Sequence, residues 1–166
     1  MYNLCIVYVN MYVGIKIIIW PRLLCRNELI KMKTYFILSY VVKEKESHLI
    51  CPSSEQIKFI IAPLEKTLAA GGWKVFFGTT FYGPHEIFTL LGNLAARSDK
   101  TIKYIVDVNA LHLVAKVFSD PTYNDMEKKE CLETVTCAAR LAWQISLCSD
   151  PQMKEALLNN PILMEG

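Results

Sequence analysis

The chain has no Cys-x-x-Cys pair, no two histidines at a metal-ligand spacing and no Gly-Lys-Ser/Thr triplet. The first absence removes the signals of a zinc ribbon and of a thioredoxin-type redox site. The second leaves His48, His85 and His112 without a ligand pattern such as i, i+4. The third means that the glycines of Gly71-Gly72 through Gly78-Thr79-Thr80 do not form a phosphate-binding loop. Charge is also sparse: Asp, Glu, Lys and Arg make up 20% of the residues, and the formal net charge is +2. That is too small a surplus to argue for nucleic acid as a partner.

Apolar residues, at 52% of the 166, exclude a disordered chain and suffice for one domain with a core. The six cysteines are Cys5, Cys25, Cys51, Cys131, Cys137 and Cys148. Their positions in apolar stretches fit reduced, buried thiols in an intracellular, cytoplasmic protein. No cofactor or metal site is expected. A Cys131–His112 dyad would need the two side chains to meet in space.

The character of the chain changes near residue 50. Residues 1–50 are rich in tyrosine and β-branched residues and show no helical stripe. Three readings of this part compete. Residues 4–20 are mostly apolar, which suits a membrane anchor. The span is short against the ~20 residues a bilayer requires, and Asn10 and Lys16 interrupt it. A signal peptide would need a basic start and a small-residue cleavage site, and neither is clear. The Ile, Tyr, Asn and Lys bias is also what translated AT-rich non-coding sequence produces, so the segment reads as well as a gene-model artefact. Lys43-Glu44-Lys45-Glu46 marks the transition as a charged linker.

From Cys51 the pattern is helical. Ser53 or Ser54 is placed to cap a helix whose stripe is Ile57, Ile60, Ile61, Leu64 and Leu68. Pro63 is expected to kink or break it, and Gly71-Gly72 to end it. Residues 73–82 read as a loop, with Trp73, Phe76, Phe77, Phe81 and Tyr82 packing it into the core. Gly83-Pro84 restarts a helix with core face Ile87, Leu90, Leu91 and Leu94. Short helices are expected over about 100–107 and 109–118. Asn124 or Asp125 is expected to cap a long helix with stripe Cys131, Val135, Ala138, Ala142 and Ile145. Glu127-Lys128-Lys129-Glu130 is its solvated start, and Asp150-Pro151 opens a last helix ending near Asn159.

Two segments repeat. Residues 98–103 (Ser-Asp-Lys-Thr-Ile-Lys) match residues 149–154 (Ser-Asp-Pro-Gln-Met-Lys), with Asn109 against Asn160 and Leu111 against Ile162. Upstream, Asn93-Leu94-Ala95 faces Arg140-Leu141-Ala142. These offsets lie at or slightly above the ~40–47 residues of armadillo and HEAT units.

Leu91-Gly92-Asn93-Leu94-Ala95, a polar gap, and Lys103 through Leu111 together resemble an armadillo repeat, over about residues 84–166. The position where the family usually carries Gly is Asn109, which tolerates a left-handed backbone. The expected fold class is thus all-α, an armadillo-like helical solenoid segment over 51–166, behind the apolar segment 1–50. With few units and no polar cap, it reads as part of a longer solenoid.

The resemblance implies a non-enzymatic scaffold or adaptor that binds a protein in a groove along the third helix of each unit. In peptide-binding members an Asn there clamps an extended segment and a Trp one turn earlier walls its pockets. Here the Asn positions are Asn93 and Arg140, and the Trp positions are Thr89 and Thr136. The ladder that holds basic import peptides is therefore absent, and Arg140 favours an acidic partner. The plainer alternative is that Asn93 bridges helices and Arg140 is a solvated face residue. Two rival functions stand beside the scaffold: a membrane-anchored helical protein using residues 4–20, and a regulatory subunit of an enzyme complex.

Overall fold

The computed structural model of the chain describes residues 52–77, 80–123, 125 and 127–159. The readings of residues 1–50, of Cys51, of Asn124 and of residues 160–166 lie outside the described residues.

Helix α1 spans Ser54–Ala69 and begins as its first residues dictate. The Ser53 hydroxyl accepts the Gln56 N–H at 3.3 Å, and the Gln56 side chain accepts the Ser53 N–H at 2.8 Å. This reciprocal pair satisfies two N–H groups that a helix start leaves open. Ile57, Ile60, Ile61, Leu64 and Leu68 are buried, the stripe expected from their spacing. Pro63 does not break the helix. Buried side chains on both sides of it enter the same core, and that packing outweighs the one lost backbone bond. The end is set by Gly71 at φ 62. Its N–H bonds the Leu68 carbonyl at 3.1 Å and that of Gly72 bonds the Thr67 carbonyl at 2.9 Å, a Schellman closure.

The segment expected to be a loop is a hairpin instead. Strands β1 (Val75–Phe77) and β2 (Thr80–Tyr82) pair antiparallel, with Val75 opposite Tyr82 and Phe77 opposite Thr80. Val75 and Phe77 turn inward, and Phe77 meets Phe59 of α1 with ring centroids 5.7 Å apart. Phe76 and Phe81 stay more than half exposed and face each other at 6.0 Å, with the Lys74 ammonium 4.7 Å above the Phe81 ring. Three residues per strand are too few for alternation to register as a period in sequence. The aromatics therefore divide between core and surface, and the molecule is predominantly helical without being purely so.

Helix α2 spans Pro84–Ala95; the Glu86 carboxylate accepts the Gly83 N–H at 2.7 Å at its start. Helices α3 (Asp99–Asp107) and α4 (Leu111–Ser119) follow, close to the expected bounds. They meet at Asn109, the one non-glycine at positive φ (58°) among the described residues. The Asn109 N–H bonds the Val106 carbonyl at 2.8 Å and the Ala110 N–H bonds Ile105 at 3.1 Å. Asn109 thus stands where glycine usually closes a helix, and α4 begins only after it. No strand occurs between residues 84 and 118, and Leu91, Leu94, Ile105, Leu113 and Val117 are all buried.

A 3₁₀ turn (Pro121–Tyr123) leads to α5 (Lys129–Ser146) and α6 (Pro151–Leu158). Asp125 does not cap α5. It pairs with Lys128 at 2.9 Å, shaping a turn ahead of a helix whose flanking residue, Lys128, supplies no cap bond. Asp150 does cap α6, accepting the Gln152 N–H at 2.9 Å. The buried stripe of α5 is Cys131, Thr134, Ala138, Leu141 and Ile145, with Val135 and Ala142 only partly buried. Both sets fit helical spacing. The choice is made by α2, whose Gly92 lets Leu141 approach closely. The rotation carries Thr134 inside, where its hydroxyl has no hydrogen-bond partner.

Tyr123 ties the turn to the end of α1. It is fully buried, its hydroxyl donates to the Gly72 carbonyl at 3.1 Å, and its ring meets Trp73 edge-on at 4.9 Å. Burial, aided by the nearby Asp120 carboxylate, pushes its phenol from 10.0 up to about 12. The folded chain therefore holds this proton where the unfolded chain has already lost it. The contribution is complete below pH 10 and declines as pH rises towards 12. The melting temperature should fall across that window, and Tyr123→Phe should flatten the fall. An identical slope in both proteins would place the alkaline loss elsewhere.

Candidate functional site

Helices α2 and α5 form the most extensive helix–helix contact of the fold. Three side-chain pairs join their outer edges. The His85 Nε2 lies 3.8 Å from the Glu133 carboxylate. Thr89 Oγ1 donates to the His85 carbonyl at 2.8 Å and sits 3.2 Å from the Cys137 Sγ. The Arg140 guanidinium donates to Asn93 Oδ1 at 3.3 Å. Along α2 these residues advance by four and four, and along α5 by four and three. Both series climb together, so the two helices run side by side in the same direction at a near-constant separation of 47 or 48 residues. Antiparallel neighbours would pair in opposite order.

Beneath the ladder the two backbones are separated by about one methyl group. A Cβ added at Gly92 would lie 4.0 Å from the Leu141 Cα, and Leu90, Leu91 and Leu94 are buried below. The buried layer fixes the two helices, and the edge pairs, exposed or half-buried, report their register. Pairs on a solvated edge contribute little stability individually.

Of the four residues proposed from sequence, Thr89, Asn93 and Arg140 therefore come together in one seam. Asn93 bridges helices, as the plainer reading held, and its partner is Arg140 itself. One guanidinium nitrogen is thereby engaged, and the fork is oriented along the seam. Thr136 is exposed on α5 one turn before Arg140. Lys129 extends the polar edge, 3.5 Å from Glu133.

The possible Cys131–His112 dyad does not form. The His112 Nε2 faces the Glu65 carboxylate at 3.3 Å, its Nδ1 faces the Asn109 carbonyl, and the Cys131 thiol donates to the Thr122 carbonyl at 3.6 Å. Cys131, Cys137 and Cys148 are free thiols, two of them buried. Among the described residues no group of three His, Cys, Asp or Glu side chains is placed to hold a metal. No described helix is long and apolar enough to cross a membrane.

Sequence reasoning missed one feature on the other flank of α5. An open groove of about 530 Å³ is lined by Phe118 of α4, by Ala139, Ala142, Trp143 and Ser146 of α5, and by Lys154, Leu157 and Leu158 of α6. The signal available was Trp143, which lies off the buried stripe of α5.

Comparison with family models, with curated proteins and with solved structures finds no match to this chain.

Proposed function

We propose that the chain is a non-enzymatic protein-interaction module, an armadillo-like segment of a helical solenoid that binds a protein partner along the edge where α2 and α5 run parallel. The observation that carries this reading is the constant separation of the ladder pairs. A helix, two short helices and a second helix parallel to the first compose a unit that can stack repeatedly, each burying its face on the next. Along such an edge, Thr89, Asn93, Thr136 and Arg140 offer hydroxyl, amide and guanidinium groups to a partner segment. The remaining Arg140 donors favour an acidic one. The absence of tryptophan at Thr89 and Thr136 speaks against tight binding of a basic import peptide. Free thiols fit a cytoplasmic setting.

The test is a quantitative pulldown with the full chain from cell extract. Arg140→Glu should reduce capture of an acidic partner by about tenfold or more, a loss of ~1.4 kcal/mol. A control reversal on α1, Lys58→Glu, should leave capture intact. The melting temperature of Arg140→Glu should hardly change, since an exposed charge usually contributes within ~0.5 kcal/mol. If Arg140→Glu unfolds the chain, its role is structural and the edge is not the binding face. If every partner survives the reversal, the exposed Phe76–Phe81 pair of the hairpin becomes the next surface to examine.

A further inference from the structure

We propose that the groove between α4, α5 and α6 seats the apolar side of an acidic, amphipathic helix from a partner protein. This rests on the reading of the chain as a protein-binding module, and it specifies the partner's form and charge at a second surface.

The lining is apolar and open to solvent. Trp143 and Leu158 are each more than half exposed beside it. Leu132 and Trp143 share the outer face of α5, Leu147 follows just past its end, and all three are exposed. A tryptophan beside an apolar recess, with exposed leucines along the same side of the helix, is the composition of an interface centre rather than of an ordinary surface. A volume of about 530 Å³ accepts several aliphatic side chains at once.

The form of the partner follows from the groove's polar groups. Its walls are helices whose backbone bonds are internal. The Ser146 hydroxyl is already committed, donating to the Trp143 carbonyl at 2.7 Å. The walls therefore offer no row of backbone donors and acceptors to an extended strand, whose own groups would be left unpaired on an apolar surface. A helix arrives with those groups satisfied and presents apolar side chains at i, i+3 and i+4.

The charge follows from the rim. Among the described residues Lys154 is the one charged side chain in the lining. Among the described residues Lys154 makes no ion pair with a carboxylate, and no Asp or Glu lines the groove. A partner with carboxylates flanking its apolar stripe complements this cation, whereas a basic helix meets repulsion from it.

The probe is a fluorescently labelled amphipathic peptide about 14 residues long, about four helical turns. It carries leucines at helical spacing and glutamates on the flanks, and a matched peptide carries lysines in place of the glutamates. Binding is measured by fluorescence anisotropy on the full chain. The glutamate peptide should bind about tenfold more tightly than the lysine peptide, Lys154→Glu should reverse that preference, and Trp143→Ala should weaken both. Both positions are exposed, so circular dichroism should show the helices intact in each variant. Equal binding of the two peptides, or no response to Lys154→Glu, overturns the proposal. So does peptide binding that emerges only after deletion of residues 160–166, which would make the chain's own tail the occupant. A dimer dispersed by Trp143→Ala would make a second copy the occupant and overturn it equally. If Lys154→Glu reverses the peptide preference while Arg140-dependent capture persists, the groove proposal stands and the two surfaces are separate. If the peptides fail and that capture remains, the groove proposal alone falls.

Discussion

Leu91→Ala and Leu141→Ala should each lower the unfolding free energy by ~2–5 kcal/mol, the largest single-residue losses expected here. Both side chains are fully buried, one in each helix of the parallel pair. Truncation removes their transfer free energy and leaves a cavity that flanking helices fill only in part. Because α2 and α5 share the most extensive contact, neither site can relax without shifting the ladder above it. Urea denaturation followed by circular dichroism measures the loss. The double variant should fall short of the sum of the singles, since the two lie on either side of one contact. Losses below about half a kilocalorie at both positions would mean that the core is not where these helices place it.

Gly92 should give effects of opposite sign with two substitutions. It is buried within α2, and an added Cβ would find the Leu141 Cα at 4.0 Å, an ordinary van der Waals distance. Gly92→Ala should therefore be tolerated and should stabilise the helix by up to ~1 kcal/mol, because glycine is the poorer helix former. Gly92→Leu adds three more carbons where the α5 backbone stands, and the helices must separate. Overpacking of this kind costs ~1–3 kcal/mol. It should also break the Asn93–Arg140 and Thr89–Cys137 pairs, readable as changed accessibility of Cys137 to a thiol reagent. A destabilised Gly92→Ala would show that the helices approach more closely than this geometry, and an unperturbed Gly92→Leu that they are not in contact at that level.

Much of the helical frame was legible in the sequence. Ser53 before Glu55-Gln56, Gly71-Gly72, Asn109 and Asp150-Pro151 act through local chemistry: a hydroxyl or carboxylate that accepts a backbone N–H, or a residue that tolerates positive φ. Such signals depend on neighbours within one turn, so residue order carries them. The spacing of Ile57 through Leu68 and of Ile87 through Leu94 likewise needed no partner to be read. The pairing of Asn93 with Arg140 was indicated only indirectly, through their matched places in two similar segments.

The remaining features were decided by contacts between distant parts of the chain. Pro63 sits within an unbroken helix because packing on both sides outweighs one missing bond. Residues 75–77 and 80–82 pair as strands because Val75 and Phe77 find α1 and Phe59, a choice that three residues per strand cannot announce. The face α5 buries was set by the opening at Gly92, which drew Leu141 inward and took Thr134 with it. That rotation also left Trp143 beside the apolar groove, and the groove itself exists only because α4, α5 and α6 converge there. The sequence alone determined the helix ends at Ser53, Gly71, Asn109 and Asp150, since those are local hydrogen-bonding and backbone decisions. Tertiary structure decided which faces meet and which remain open, because burial is a property of pairs of surfaces and no single stretch of residues contains both.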